Sequence, residues 1–308
     1  MAMTDNDVGS LRTRPRAADS GGNSPHARTV LLYGNCQTPF LAHMLRALDD
    51  LNGDYRFVVA LNHAQPGALH APQVADHLLQ DVVLAIWQHE DDPHNPAALA
   101  LRPRLPPGCP VIRFPSFLML SQWPFECVEP RGQAEPDYPW KRYPHGDSVG
   151  LQIAQAGLSG PLAVAAYLDQ SMREMPDLQE RLQRDVDRMR RYDSHCDVKL
   201  TDFVLDNYRK QHLFWTYCHV SETCIQELAL RVAAAARPLL GGTQARAAEC
   251  IEAMMGFGGI GGLQVPIHPV VAATLGLEFW EAERTYLWYS QQWNFYDYIQ
   301  RYIGYERW

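Results

Sequence analysis

Four consecutive residues, Gly34, Asn35, Cys36 and Gln37, form the sequence pattern with the clearest capacity for chemistry. They follow the apolar run TVLLYG of residues 29–34 and precede an amphipathic stretch, which predicts a buried strand, a tight turn and a helix. A cysteine in such a turn lies where helix amides and the helix dipole stabilise a thiolate. The same amides are placed to bind the oxyanion of a tetrahedral acyl intermediate. The pattern therefore favours nucleophilic acyl chemistry at Cys36, and a cysteine that merely fills the turn is the alternative.

A nucleophile of this kind needs a base, and three of the twelve histidines are candidates by position. His219 follows the aromatic run FWTYC of residues 214–218 and precedes Ser221, a predicted helix cap. We predict that His219 is the base, with a core histidine bonded to a carbonyl as the alternative. His89 follows a predicted strand and is assigned to the ligand site, whereas His268, flanked by prolines, is predicted to be structural.

The predicted strands are residues 29–34, 55–61, 82–87 and 110–114, and polar residues follow each of them. Helix-like segments separate these apolar runs, and such alternation predicts a parallel sheet. Ligands of parallel sheets bind at the carboxyl ends of the strands. Here those ends carry Gly34 to Gln37, Asn62-His63, Gln88-His89-Glu90 and Pro115-Ser116. The sequence therefore predicts a ligand site at this edge of the sheet.

The chain as a whole is predicted to be an α/β N-terminal subdomain, with a short parallel sheet within roughly 100 residues, embedded in a predominantly α-helical fold. Residues 1–28, rich in Ser, Gly, Asn, Pro and Arg, are predicted to be a disordered tail. Residues 29–120 are the predicted α/β subdomain. Residues 121–308 are predicted to combine an aromatic loop region with a mainly helical part, packed as one globular unit.

Within that C-terminal part, residues 121–150 are rich in Pro, Trp and Tyr and are predicted to form an ordered irregular wall. The strongly charged residues 179–191 are predicted to form a solvated surface helix, and helical spacing of apolar residues predicts helices over 201–207 and 221–236. The glycine-rich segment 256–262 is predicted to be a flexible turn. Residues 280–305 are predicted to form an aromatic closing pair of helices.

The composition narrows the class of protein. The 308 residues are 46% hydrophobic and 20% charged, with a net charge of −8. That charge argues against a broad nucleic-acid surface, so no nucleic-acid partner is expected. No run approaches the roughly 20 apolar residues of a transmembrane helix, and no signal peptide is recognised. Seven irregularly spaced cysteines fit a reducing compartment, so a cytoplasmic location is expected.

Motifs for metals and nucleotides are lacking in the sequence. No HExxH or paired CxxC occurs, so no metal is expected. The segment GFGGIGG at 256–262 lacks the Lys-Ser/Thr of a phosphate-binding loop. Two compact basic pairs remain as candidate phosphate ligands, Lys141-Arg142 and Arg209-Lys210, with solvated surface pairs as the alternative.

An ordered series of segments carries a resemblance that extends from about residue 29 over nearly the whole chain. The segments are VLLYGNCQ, WQHE, RFPSF, HLFWTYCHVSETCIQELALRVA, VPIHPVVAATLGL and WNFYDYIQRYIGYE. Together they resemble the WcbI family of polysaccharide biosynthesis proteins. The resemblance implies a cytoplasmic enzyme of capsule assembly with a deep pocket for coenzyme A. It further implies acetyl-CoA-dependent O-acetylation of a capsule sugar, a deoxyheptose in the best-known case.

The resemblance also suggests roles for residues of this chain. The turn at residues 34–37 matches the family's signature turn, and His219 matches a histidine that relatives often show within Asn-His-Pro, here Cys218-His219-Val220. The expected catalytic residues are Cys36 and His219. The expected coenzyme A-binding residues are Gly34, Asn35, Gln37, His89, Ser116, Lys141, Arg142, Arg209 and Lys210. The expected partners are acetyl-CoA, a capsule sugar or polysaccharide precursor, and other capsule-biosynthesis proteins.

Two routes and two other functions stay open at this point. Cys36 either carries the acetyl group covalently or only lines the pocket while His219 deprotonates the acceptor hydroxyl. The start of the chain also resembles SGNH hydrolases, with cysteine in place of serine, which suggests a carbohydrate esterase or deacetylase; the late Asp-x-x-His pair of those enzymes has no clear counterpart here. A non-catalytic coenzyme A-binding or scaffold protein of capsule assembly is the remaining alternative.

Overall fold

The computed structural model describes residues 27–51, 54–64, 68–69, 71, 73–135, 137–138 and 140–305. Within these residues the chain divides into two compact units, each built from three separate segments. The first unit contains the chain up to Phe117, Arg188–Leu205 and His219–Gly261. The second contains Leu118–Asp187, Asp206–Cys218 and the chain from Gly262 onward. The predicted tail lies outside the described residues as far as residue 26.

The first unit is built on a four-stranded parallel sheet, as the sequence predicts. Its strands are β1 (Arg28–Gly34), β2 (Tyr55–Leu61), β3 (Val82–Gln88) and β4 (Val111–Phe114), in the order β2-β1-β3-β4. Every residue of β1 after Arg28 is buried, because a central strand of a parallel sheet is covered on both faces. The apolar run of residues 29–34 is therefore explained by its central position.

Eleven helices occur in the described residues, and they account for the predominantly helical character of the rest of the fold. They are α1 (Thr38–Arg46), α2 (Asp76–Gln80), α3 (Pro96–Leu101), α4 (Ser148–Gln155), α5 (Gly160–Glu174), α6 (Leu178–Ser194), α7 (Thr201–Asn207), α8 (Glu222–Leu240), α9 (Gln244–Ala253), α10 (Pro269–Leu275) and α11 (Phe295–Ile303). None of these helices combines the length and the apolar content that crossing a bilayer requires.

The strand order reverses at β1, and this reversal determines where the chemistry-bearing turn lies. From β1 the chain crosses to β2 on one side, and it then returns past β1 to β3 on the other side. Tyr33 of β1 pairs with Trp87 of β3, so the two strands end side by side. A switch point of this kind leaves a crevice between the outgoing loops, and ligands of open parallel sheets bind there. The turn at residues 34–37 lies at this switch point.

The second unit has an aromatic core rather than a sheet. Tyr143, Tyr167, Trp288, Tyr298 and Tyr302 are all buried in it. Two short antiparallel pairs border the core, β5 (Glu126–Cys127) with β6 (Gly146–Asp147), and β7 (Tyr286–Trp288) with β8 (Gln291–Trp293). The rings contact one another at a range of angles, as quadrupolar aromatic pairs prefer.

A fully buried arginine is the main charged group of this aromatic core. Arg131 forms an ion pair with the equally buried Glu129, with its Nε 2.8 Å from Oε1. Its Nη1 donates to the carbonyl oxygens of Tyr302 and Tyr305, and its guanidinium lies 4.4 Å from the centre of the Tyr302 ring. Because each charge is paired and hydrogen-bonded, the ion pair is tolerated in the core.

The predicted helix pair over residues 280–305 is wrong in its first half. That half forms the β7–β8 hairpin, and only Phe295–Ile303 is helical. Tyr286 and Trp288 are buried while Leu287 between them is half-buried, which is the two-residue period of a strand. Asn294 caps α11 by accepting a hydrogen bond from the amide of Asp297, at 2.9 Å. Aromatic content alone does not distinguish the two periods, whereas the asparagine cap marks where the helix begins.

Candidate functional site

The turn after β1 is fixed to the end of β3 by hydrogen bonds. The amide of Asn35 donates to Gln88 Oε1 at 2.7 Å, and the amide of Gln37 donates to Asn35 Oδ1 at 2.9 Å. Gly34 permits this approach, since a Cβ at that position would lie 2.7 Å from the Cβ of Gln88. The glycine of the predicted signature turn is thus required by the close packing of two neighbouring strand ends.

Gln37 holds the turn from its other side. Its side chain is fully buried, and its Nε2 donates to the carbonyl oxygen of Phe117 at 2.9 Å. Its Oε1 accepts from the amide of Phe117 at 3.0 Å and from Gln88 Nε2 at 3.3 Å. The side-chain amide therefore pairs with the backbone that follows β4, next to the half-buried Ser116. In this arrangement Gln37 positions the turn.

Cys36 is partly exposed in this turn. Of the seven cysteines, Cys196, Cys224 and Cys250 are buried, and Cys36, Cys109, Cys127 and Cys218 keep part of their surface accessible. Cys36 at the switch point is therefore not fully enclosed in the hydrophobic core. Asn35 is also partly exposed, so its side chain lies at the accessible part of the turn beside Cys36.

His219 lies against the glycine-rich segment 256–262. A Cβ built on Gly261 would lie 3.2 Å from His219 Nδ1, and Gly261 has a φ of +79°, which favours glycine. The amide of Ile260 donates to the carbonyl oxygen of Val220 at 2.9 Å. The carboxylate of Glu222 accepts from the amides of Gly256 and Gly258, both at 2.8 Å. Hydrogen bonds therefore hold the segment that was predicted to be a flexible turn.

The same glycine-rich segment contacts the helix that follows Cys36. Phe257 stacks on Phe40 of α1, with ring centroids 5.8 Å apart. One loop thus packs on the helix that follows the candidate nucleophile and on the candidate base. Sequence spacing gives no signal for this arrangement, because the glycine-rich segment is remote from both Cys36 and His219 in the chain.

A group of basic and aromatic side chains surrounds His89 at the end of β3. His89 stacks on His195 with ring centroids 5.1 Å apart, and its Nε2 lies 4.0 Å from Asp91 Oδ1. Burial lowers the pKa of His89 below its ordinary value, and the neighbouring His195 lowers it further, with smaller effects from Arg191 and Arg113. The sequence patterns do not single out His195, Arg191 or Arg113 as site residues. For Arg113, the signal was an exposed position in the alternating strand β4.

Hydrogen bonds connect the polar residues that follow β2 and β3. Glu90 accepts hydrogen bonds from Tyr33 Oη at 2.9 Å, from Asn62 Nδ2 at 2.6 Å and from Asn95 Nδ2 at 3.1 Å. Burial raises the pKa of the Glu90 carboxyl, and these hydrogen bonds counteract the rise. This network stabilises the rim of the crevice.

The four predicted phosphate-binding cations belong to the second unit. Lys141 Nζ donates to the carbonyl oxygen of Glu129 at 2.7 Å. Arg142 forms an ion pair of 2.8 Å with Glu135. Arg209 Nε donates to the hydroxyl of its neighbour Tyr208 at 2.8 Å, and Arg209 and Lys210 are both exposed.

His268 caps a helix in the second unit. Its Nδ1 accepts from the amide of Val270 at 3.1 Å, so Nε2 carries the proton and donates to Ser171 Oγ at 3.0 Å. Ser171 Oγ in turn donates to the carbonyl oxygen of Leu168 at 3.0 Å. Burial lowers the pKa of His268 to about 4. An imidazole fixed in this tautomer cannot accept a proton from Ser171, so the pair is not a nucleophile and its base.

No cluster of three or more His, Cys, Asp or Glu side chains suited to a metal ion occurs in the part of the chain that the structure describes.

These features define a class: an α/β protein with a partly exposed cysteine in the β1–α1 turn, at the switch point of a short parallel sheet. The model of the WcbI family, described as polysaccharide biosynthesis enzyme WcbI, matches residues 29–237. The chain therefore belongs to the WcbI family of polysaccharide biosynthesis enzymes.

The fold is shared with a solved member of the family. That structure is of native WcbI, described as a novel polysaccharide biosynthesis enzyme without a disulfide bond between coenzyme A and one of its cysteines. It is 18% identical to this chain, covers 90% of this chain and 89% of its own, and superposes with a TM-score of 0.64. At this identity the likeness establishes the fold alone. No curated protein matches the chain.

Proposed function

We propose that this protein is a coenzyme A-dependent acyltransferase that acetylates a hydroxyl of a capsule sugar, with a deoxyheptose as the expected acceptor. The observation that carries the proposal is the partly exposed residue Cys36 at the switch point of the sheet. The family's role in polysaccharide biosynthesis and the coenzyme A named for its solved member support the choice of donor and acceptor.

The residues present are suited to a thioester ligand. The turn offers the thiol of Cys36 and the side-chain amide of Asn35, and α1 begins two residues after the cysteine. A helix start favours negative charge, which develops both on the thiol and on the carbonyl oxygen during acyl transfer. Gly34 and Gln37 contribute by holding the turn in place.

The phosphates of coenzyme A require cations. We assign them first to the group around His89, where Arg113 and Arg191 add positive charge close to the end of β3. Ser116 follows β4 and is half-buried, so it is assigned to the pantetheine arm. Lys141, Arg142, Arg209 and Lys210 lie in the second unit, and their role as phosphate ligands stays a prediction from the sequence.

The covalent route proceeds in two balanced steps. His219 takes the proton of the Cys36 thiol, the thiolate attacks the carbonyl carbon of acetyl-CoA, and the carbon–sulfur bond to coenzyme A breaks. The acetyl group is then held on Sγ, and coenzyme A leaves as a thiol with the proton that His219 returns. The sugar hydroxyl next attacks this new thioester, His219 takes the hydroxyl proton, and the Cys36 thiolate leaves. The two thioesters are nearly equal in free energy, so the first step is feasible in both directions.

The test is to incubate the protein with acetyl-CoA alone and to measure released coenzyme A and the intact mass. The wild type is expected to release one equivalent of free thiol and to gain one acetyl group, which Cys36→Ala does not. Cys109→Ala is the matched control, since Cys109 is also a partly exposed cysteine of the first unit. Acetylation that persists in Cys36→Ala ends the covalent route, and direct transfer by His219 then predicts turnover only when the acceptor is added.

Binding separates the proposed enzyme from an esterase. Coenzyme A is expected to raise the melting temperature of the wild type and of Cys36→Ala, and to stabilise Arg113→Ala less. An esterase has no need of coenzyme A and predicts no shift in any variant. A non-catalytic binding protein predicts the shift without turnover under any condition.

A further inference from the structure

The second unit contains a cleft that the proposed mechanism does not use. It encloses about 500 Å³ including its solvent-open mouth. All of its lining residues belong to the second unit. We refer to it as the aromatic cleft, because Trp123, Phe125, Tyr217, Phe295 and Tyr298 form much of its wall.

One polar side chain of the aromatic cleft lacks the partners that its burial requires. Gln122 is only 1% exposed, and neither its Nε2 nor its Oε1 has a hydrogen-bond partner among the described residues. A buried donor and acceptor left unpaired destabilise a protein, and native structures rarely retain them without a functional reason. Gln37, the comparable buried glutamine of the first unit, has both atoms paired.

The remaining polar side chains divide into two groups. Asp147 is already engaged within the protein, since its oxygens accept from Tyr167 Oη and from the amide of Gly150, both at 2.7 Å. His145 and Glu126 lie 3.7 Å apart and keep 12% and 24% of their side-chain surface accessible. An imidazole and a carboxylate at the mouth of the cleft provide further donors and acceptors for a polar ligand.

The charge of the cleft restricts the class of ligand. No lysine or arginine occurs among the lining residues that the structure describes, whereas two carboxyl groups do. Phosphorylated ligands require cations and are therefore disfavoured. The lining therefore disfavours an anionic ligand, and it suits a ligand that offers adjacent donors and acceptors to Gln122 and an apolar face to the aromatic rings.

We propose that the aromatic cleft binds a neutral saccharide, with a pyranose ring against its aromatic wall and vicinal hydroxyls hydrogen-bonded to the amide of Gln122. A hydroxyl both donates and accepts, so two neighbouring hydroxyls satisfy Nε2 and Oε1 together. The indole of Trp123 is fixed by its hydrogen bond to the carbonyl oxygen of Val265, at 3.1 Å, and forms a rigid surface for the ring. The choice of a saccharide over other polyhydroxyl compounds rests on the proposed function.

The experiment is a binding measurement on the full chain without acetyl-CoA. Methyl glycosides of neutral hexoses and heptoses are titrated at millimolar concentration, with saturation-transfer NMR as the readout and inorganic phosphate as the charged comparison. The wild type is expected to bind at least one glycoside and not to bind phosphate in competition with it. Gln122→Leu is expected to bind that glycoside at least about tenfold more weakly, because the paired amide atoms are lost.

Two further variants make the result decisive. Gln155→Leu, an exposed glutamine of the same unit outside the cleft, is the matched control and is expected to bind as the wild type does. Gln122→Asn retains an amide on a side chain that is one methylene shorter, so the amide no longer reaches the same position. This variant is used in place of Gln122→Leu if Gln122→Leu does not fold. The proposal is overturned if no glycoside binds, or if both Gln122 variants bind as tightly as the wild type. Binding that persists in Cys36→Ala, with acetyl transfer lost, separates this cleft from the proposed catalytic centre.

Discussion

The pairing of Gln37 with the backbone of Phe117 makes the most direct prediction about how the site is held. Gln37→Ala removes both partners of a backbone amide and carbonyl that lie in a residue only 2% exposed. Each buried backbone group left without a partner costs about 1–3 kcal/mol. Two such groups give about 2–6 kcal/mol, and water entering the space left by the side chain reduces the upper limit, so we expect a loss of about 3–4 kcal/mol.

The assay is urea-induced unfolding followed by circular dichroism, together with amide hydrogen exchange of the segment that contains Phe117. We expect a lower midpoint for Gln37→Ala and faster exchange at Phe117, because its amide loses its acceptor. Gln155→Ala, an exposed helical glutamine, is the control and is expected to remain close to the wild type. A loss below about 1 kcal/mol with unchanged exchange at Phe117 refutes the reasoning.

A second variant at the same position tests the direction of the hydrogen bonds. Gln37→Glu keeps an acceptor for the amide of Phe117 but places a carboxylate oxygen against its carbonyl oxygen, 2.9 Å from the present nitrogen. Because the protonated acid can donate to that carbonyl, the variant is expected to regain stability relative to the wild type as the pH falls. A deficit that does not change with pH would contradict this assignment.

Three further predictions follow from the geometry. Gly34→Ala should lower the unfolding free energy by about 2 kcal/mol in urea titrations, because its Cβ would lie 2.7 Å from a side chain of β3. Gly261→Ala should reduce acetyl transfer about tenfold by displacing the imidazole of His219, whereas Gly262→Ala, whose Cβ has no neighbour within 3.8 Å, should not; equal rates for the two variants would argue against positioning by the loop. Burial lowers the pKa of His268 in the folded protein from 6.5 to about 4, so the wild type should lose stability as the pH falls through this interval. His268→Asn keeps a helix-capping side chain but does not titrate there, so its stability should decrease less over the same interval. Thermal unfolding of both proteins across this pH range measures the difference.

The sheet was predictable because its information is local. Each of its four strands is a short apolar run bounded by polar or turn-forming residues, and the structure places β1, β2, β3 and β4 within one residue of the predicted bounds. Helix α8 was predictable for the same reason, since a period of 3.6 residues is visible within a single segment, and the charge of residues 179–191 indicated the surface helix α6. The β7–β8 hairpin was not, because its aromatic residues fit both periods.

The position of the turn at residues 34–37 was predictable, but the hydrogen bonds that hold it were not. A glycine and a cysteine after a buried strand indicate a tight strand-to-helix turn. Gln37 holds the turn through Phe117, which is 80 residues away in the chain. The grouping of Arg113 and His195 around His89 also depends on segments that meet only in the folded chain. Nothing in the spacing of these residues distinguishes a ligand-binding amide from one that holds the backbone.

The sequence by itself therefore determined the parallel sheet, the turn at its edge and the presence of Cys36 in that turn, because hydrophobic periodicity and glycine placement act over a few residues. The tertiary structure alone decided which side chains surround the turn, that the glycine-rich segment contacts His219, and that Gln122 is buried without a partner among the described residues. Such contacts depend on how distant segments pack and exclude water, and a local sequence pattern does not determine which distant residues come together.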